Sequence, residues 1–178
     1  MLHRPIQAST IVMLVVPGQS SGQTALVRDG RSDHTIMIDR NCSQSERYAA
    51  EQLQDILEQI SGAKLPISQE PVAGPMICVG SNAIMKELAP TIDDTALGDE
   101  SLVIKTVGNH LVLSGGRKRG SMYACFEFLD KFLGCRWFAP DCHLIPRSRT
   151  IVLPDIDYQK VPVFEYRHTD CTESKDSD

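Results

Sequence analysis

Metal and redox signatures are missing from this sequence. None of its six cysteines (Cys42, Cys78, Cys125, Cys135, Cys142 and Cys171) forms a C-x-x-C pair, which argues against a structural zinc site. No H-E-x-x-H occurs, so no helix offers two imidazoles one turn apart to a metal. The histidines share no ligand spacing with one another or with the cysteines. No apolar run approaches the roughly 20 residues needed to span a bilayer. Positive charge is in deficit: 18 Lys and Arg against 23 Asp and Glu leave a net charge of -5. That argues against a nucleic-acid partner, because phosphate binding needs a basic surface. Aromatic residues make up only 6% of the chain, with a single tryptophan. Internal repeats and low-complexity tracts are absent, and no catalytic triad can be named.

What is present is ordinary for a folded protein. The chain has 178 residues, 42% apolar and 23% charged, enough for one domain with a real core and too few for two large ones. The first 30 residues admit two readings. His3 and Arg4 precede the short apolar run Ile11 to Val16, with Pro17, Gly18 and small polar residues after it. This is the layout of a secretory signal, and equally of a leader or an extra strand. A signal over residues 1–25 implies a secreted or periplasmic protein; otherwise the protein is cytoplasmic. Cys78, in an apolar strand, and Cys125, on an apolar helix face, read as small buried hydrophobes. Cys135 and Cys142 are close enough to pair if the chain is exported and their geometry fits.

Residues 35–38 read as a strand. Ser43 and Glu46 then have the spacing of a capping box, in which each side chain satisfies an orphan backbone amide. Ala49, Leu53, Ile56, Leu57 and Ile60 follow at helical spacing, and Gly62 is a natural stop. The spacing predicts a helix over 43–61. Leu65 and Ile67 flank Pro66, which confines any strand there to an edge. Met76 to Val79 is an unbroken apolar run, as in a strand buried on both faces. Ile84, Met85 and Leu88 suggest a short helix, and Asp93 to Glu100 a solvated acidic loop. Strands over 102–107 and 110–114 meet at Gly108-Asn109, whose residues tolerate the positive φ of a tight hairpin. A second long helix over about 118–133 buries Met122, Cys125, Phe126, Leu129, Phe132 and Leu133 and ends at Gly134. Ile151 to Leu153 makes a last strand. These elements do not alternate strictly, and the hairpin supplies an antiparallel pair. The expected class is α+β, with two main helices packed on a mixed sheet.

Three blocks carry a resemblance: SGAKLPI at 61–67, ESLVIKTVGNHLVLSGG at 100–116 and RGSMYACFEFLDKFLGCRWFAP at 119–140. With the exit VPVFEYR at 161–167, the chain resembles the N-terminal domain of α-glucuronidase-like glycoside hydrolases. The same kind of domain precedes the barrel of family-twenty β-hexosaminidases. The resemblance implies a zincin-like fold without the metal centre, no cofactor, and a neighbouring (β/α) barrel that carries the catalytic groups. Such a barrel takes about 250 residues. On this reading residues 1–30 are a leader or signal, 31–160 the domain and 161–178 a linker toward the barrel. The expected function is that of a non-catalytic accessory domain in carbohydrate breakdown, belonging to a glycosidase but not itself an enzyme. A stand-alone carbohydrate-binding module is the alternative.

Glycoside cleavage needs two carboxyls about 5–10 Å apart. Glu127 is a lone candidate acid with no matching partner. Gly115 to Gly120 joins a glycine turn to Arg117, Lys118 and Arg119 ahead of a helix. Backbone amides there can cradle an anion, yet the cations oppose the helix dipole. They read as solvated, or as facing a carboxylate on the barrel or a uronate. Arg136, Trp137 and Phe138 suit either a sugar face or a sealed interface. His110 and His143 read as hairpin and loop residues. The candidate contact set, for substrate or for the neighbouring domain, is Arg117, Arg119, Arg136, Trp137 and Arg167. Trp137, Phe138, Val163, Phe164 and Tyr166 are expected to leave an apolar patch that docks on a barrel or drives weak self-association.

Overall fold

The computed structural model describes residues 24–92, 97–116, 119–139 and 141–162. Strands β1 (Ala25–Val27) and β2 (Thr35–Met37) lead into helix α1 (Gln44–Ser61). Short strands β3 (Ile67–Ser68) and β4 (Met76–Val79) precede the small helix α2 (Ala83–Leu88). The hairpin β5 (Leu102–Val107) and β6 (His110–Gly115) feeds helix α3 (Gly120–Lys131). Four strands follow: β7 (Arg136–Ala139), β8 (Cys142–Leu144), β9 (Ile151–Val152) and β10 (Asp157–Lys160). The class is α+β, as expected. Six strands form one mixed sheet in the order β10-β5-β6-β4-β2-β3. The β3, β2, β4 and β6 pairings are parallel, while β6-β5 and β5-β10 are antiparallel.

Helix α1 forms where its caps and its apolar stripe agree. Ser43 and Glu46 make the reciprocal capping box, and Gly62 closes the helix at φ 82°. Leu53 and Leu57 are fully buried and Ile56 and Ile60 nearly so. The β3 strand starts after Pro66 and lies at the sheet edge, where a missing amide donor costs nothing. Strand β4 is buried on both faces. Ile77 and Val79 join the main core with α1 and α3, whereas Met76 and Cys78 pack with Met37, Val112 and Met85 of α2. The Cys78 thiol is pushed up to about 11 by burial, and burial raises the Cys125 thiol still further. Both are packing residues. Cys135 and Cys142 are free thiols, the first buried and the second exposed. In the hairpin turn only Gly108 takes a positive φ, at 60°, the arrangement with glycine first.

Helix α3 differs from its expected form in two ways. It runs from Gly120 to Lys131, shorter at both ends than 118–133, and its deepest residues are Ala124, Cys125, Phe128 and Leu129. Met122, Phe126, Phe132 and Leu133 pack at the margin of the core. The reason is double packing: α3 lies against both α1 and the β5-β6 hairpin, so its buried arc points between them. Four strands were not read from the sequence. Strand β1 pairs with β9 in a separate two-stranded sheet, and Leu26 and Val27 are fully buried. Residues ahead of position 31 thus contribute to the core. Strand β10 extends the hairpin edge through four residue pairs. Strands β7 and β8 form an exposed ribbon in which His143, expected in a loop, pairs with Trp137.

The entry to α3 depends on glycine for space. A Cβ on Gly115 or Gly120 would collide with the Ser101 carbonyl oxygen and with backbone atoms of the other glycine. Neither obstacle is a flexible side-chain tip. Gly120→Ala should therefore destabilise the protein by about 1–3 kcal/mol, the usual cost of overpacking. Gly98→Ala, where the new methyl would meet only the Ser101 hydroxyl at 3.4 Å, should cost much less. Urea denaturation of the two variants measures the difference, and equal midpoints would refute it.

Candidate functional site

One side of α3 faces away from the core and forms the wall of a groove. Tyr123, Phe126, Glu127 and Asp130 project into it at the i, i+3, i+4, i+7 spacing of a single helical stripe. Leu102 of β5 and Pro162 complete an apolar floor, Trp137 stands on the ribbon side, and Glu100 and Lys160 lie at the rim. The groove is open to solvent on one side and has a volume of about 320 Å³.

The aromatic side is held rigidly. Trp137 meets Phe126 edge to face, with ring centroids 5.5 Å apart at 79°, the favoured arrangement for two quadrupoles. The indole is still 41% exposed. Its neighbour Arg136 fixes the start of the ribbon to the end of α3. The Arg136 Nη1 donates to the Asp130 carboxylate at 2.8 Å, to the Asp130 carbonyl at 2.6 Å and to the Cys135 carbonyl at 2.7 Å.

The polar side is a second clamp, between α3 and β10. Tyr158 donates its hydroxyl to Glu127 Oε1 at 2.7 Å, and the Lys160 ammonium donates to both carboxylate oxygens at 3.0–3.1 Å. Lys131 lies 4.2 Å over the Tyr158 ring, and Phe132 meets that ring edge to face. Burial by itself would raise the Glu127 carboxyl. The hydrogen bonds from Tyr158 and Lys160 and the charges of Lys160 and Lys131 together outweigh it and hold the carboxyl below its ordinary range. Burial and the adjacent Glu127 push Tyr158 up to about 12, so it stays a donor.

This electrostatic setting disfavours Glu127 as a general acid. A glycosidase acid must keep its proton near neutral pH, which takes a raised pKa and a second carboxyl across the bond. Glu127 has the opposite shift and is bonded to a strand of its own domain. The glycine turn before α3 is likewise occupied by its own backbone. The Gly116 amide donates to the Ser101 carbonyl at 2.8 Å and the Gly120 amide to the Gly116 carbonyl at 3.1 Å, so these two amides do not cradle an anion. Arg119 is exposed at the N-cap of α3 and makes no side-chain cap. Arg136 and Trp137 adjoin the groove, while Arg117 and Arg167 lie outside the described residues. Asp130, Tyr158 and Lys160 escaped notice in the sequence, although the Tyr123-Phe126-Glu127-Asp130 stripe was there to be read. Among the described residues, no group of three or more His, Cys, Asp or Glu side chains is placed to hold a metal.

No family model matches the sequence, and no curated protein matches it. Solved structures do match its fold. A family GH115 4-O-methyl-α-glucuronidase with specificity for decorated arabinogalactans superposes with a TM-score of 0.60 at 20% identity, over 80% of this chain and 19% of that one. The GH20 β-N-acetylhexosaminidase of Streptomyces coelicolor A3(2) gives 0.52 at 15% identity, over 82% and 25%. The Streptomyces plicatus N-acetyl-β-hexosaminidase gives 0.52 at 15%, over 82% and 24%. The chain thus spans a fifth to a quarter of the length of these enzymes. At such identities the likeness is one of fold: this fold occurs as one part of larger glycoside hydrolases.

The Glu127 clamp has a definite pH signature. Its folded pKa lies below the 4.5 of a free glutamate. The stabilisation is therefore fully present above pH 4.5 and is lost as pH falls through the lower folded value. Glu127→Gln should cost about 1 kcal/mol at pH 7, a modest figure for a partly exposed charged cluster. The gap to the parent protein should close as pH falls through that lower folded value. Unfolding free energies measured from pH 7 to pH 3 check this, and a gap independent of pH would contradict it.

Proposed function

We propose that this chain is a non-catalytic accessory domain of a glycoside hydrolase, which packs against a (β/α) barrel and steadies it. The observation that carries this reading is the β7-β8 ribbon. All seven of its residues are exposed, with Phe138 at 71% and Leu144 at 53%. Val161, at the end of β10, is 61% exposed. A two-stranded ribbon is marginal in water by itself, and large apolar side chains grouped at a surface mark an interaction site. The α-glucuronidase and hexosaminidase folds, in which a unit of this shape is a minor fraction of the chain, support a barrel as the partner. The zincin-like description rests on the resemblance of the sequence blocks alone. Of the apolar residues assigned to the docking face, Trp137 and Phe138 are exposed; Val163, Phe164 and Tyr166 lie outside the described residues. Arg119, Arg136 and Trp137 remain the proposed contacts, with Arg117 and Arg167 beside them. The ionised, bonded state of Glu127 favours this reading over an independent enzyme.

Two measurements test it. The purified chain should release no aryl group from aryl glycosides, aryl glucuronides included, and turnover abolished by Glu127→Gln would overturn the non-catalytic assignment. The chain should also self-associate weakly through the uncovered ribbon. Sedimentation velocity across a concentration series should show reversible dimerisation that the Phe138→Ser/Leu144→Ser double variant abolishes. A chain that stays monomeric at millimolar concentration would remove the docking argument.

A further inference from the structure

We propose that the groove beside α3 binds a neutral pyranose of a glycan, with Trp137 as its stacking face. The inference rests on the assignment to a carbohydrate-active protein and narrows it to one site and one ligand class. The groove has the composition of a ligand site: an apolar floor and a few convergent polar groups, at the small end of the roughly 300–1,000 Å³ range. A sugar ring needs an apolar plate for its C–H face and fixed acceptors and donors for its hydroxyls. Trp137 supplies the plate. Its orientation is set before binding by the edge contact with Phe126 and by the Arg136 bonds to α3, so little ordering is left to oppose binding. Glu127, Asp130 and Lys160 supply polar groups in the same lining.

Charge selects the ligand further. Lys160 is taken up by Glu127, and Arg136 by Asp130. The lining thus holds three carboxylates, Glu100, Glu127 and Asp130, against one ammonium, Lys160. A uronate carboxylate would face these groups without an uncommitted cation among the described lining residues. A neutral ring meets no such penalty, and carboxylates paired on one side keep lone pairs for hydroxyl donors on the other. The uronate ligand considered for the basic turn before α3 therefore does not suit this groove.

Trp137 is the only tryptophan in the chain, so its emission reports the groove and the ribbon strand that carries it, and a change that persists in Phe138→Ser belongs to the groove. Titrating the full chain with neutral tetrasaccharides of glucose, xylose, mannose, galactose and N-acetylglucosamine should give a saturable change with at least one of them. The expected dissociation constant is roughly millimolar, given one stacking plate and few polar contacts. Oligogalacturonate of the same length should bind at least about tenfold more weakly. Calorimetry should show at least about tenfold loss for Trp137→Ala, as for a central aromatic anchor, and partial retention for Trp137→Phe. Phe138→Ser should leave sugar binding unchanged. The site is refuted if no neutral sugar binds up to about 10 mM, ten times the expected constant. It is also refuted if the uronate binds as well, or if Trp137→Ala binds normally. Loss of ribbon-driven association with sugar binding intact would instead count against the docking reading, so the two fail separately.

Discussion

The close approach of α3 to the loop before β5 is the constraint on which the rest of the structure depends. Gly115 and Gly120 bring the end of β6 and the start of α3 against the Ser101 carbonyl, with no room for a side chain at either position. That contact sets the depth of α3 between α1 and the sheet. Phe128 and Leu129 then enter the core, and the opposite stripe, from Tyr123 to Asp130, is left facing outward. The groove, the anchoring of the ribbon through Arg136 and the clamp on β10 all hang from that stripe. A displaced α3 would lose all three together.

The charged residues around the groove act as fasteners. Asp130 holds the ribbon through Arg136, and Glu127 holds the last strand through Tyr158 and Lys160. Each fastener joins α3 to a segment with a weak core of its own. The ribbon is wholly exposed, and β10 buries no side chain fully. A carboxylate committed in this way is ionised and spatially fixed, a state suited to architecture and to hydroxyl recognition. Proton donation to a leaving group requires the reverse. The two fasteners thus give the groove a wall of ionised, spatially fixed carboxylates.

How legible these features were in the sequence follows from how strongly each one is imposed by local pattern. Helix α1 had both caps and an unambiguous apolar stripe. The β5-β6 hairpin had two apolar runs around a glycine turn, and β4 an apolar run closed by Gly80. All three are written in neighbouring residues, and all three are present. Strand β10, Asp-Tyr-Gln-Lys, has no apolar alternation, because it is an edge strand held by backbone pairing and by side chains on α3. Strand β1 depends on a partner far away in the chain, and pairing over such distances leaves no periodic trace; the β7-β8 ribbon is local but wholly exposed, so no buried face imposes an apolar alternation on it. The same holds for Glu127: its identity was visible, but its partners lie 31 and 33 residues downstream on another element.

The structural relatives fit this division between core and surface. A fold can be kept at 15–20% identity because its requirements are generic: apolar residues at the right period, glycine where backbone meets backbone, a cap at each helix end. Recognition has no such tolerance, since it resides in a few side chains at particular positions. The likeness in fold therefore constrains the scaffold of this chain and leaves its groove to be argued from its own residues. Those residues place an aromatic plate, an acidic wall and an uncovered apolar ribbon on one side of the molecule, joined through α3. A sugar in the groove would contact Trp137, whose strand is also the ribbon that a barrel would cover. The Arg136–Asp130 pair is what joins the two surfaces.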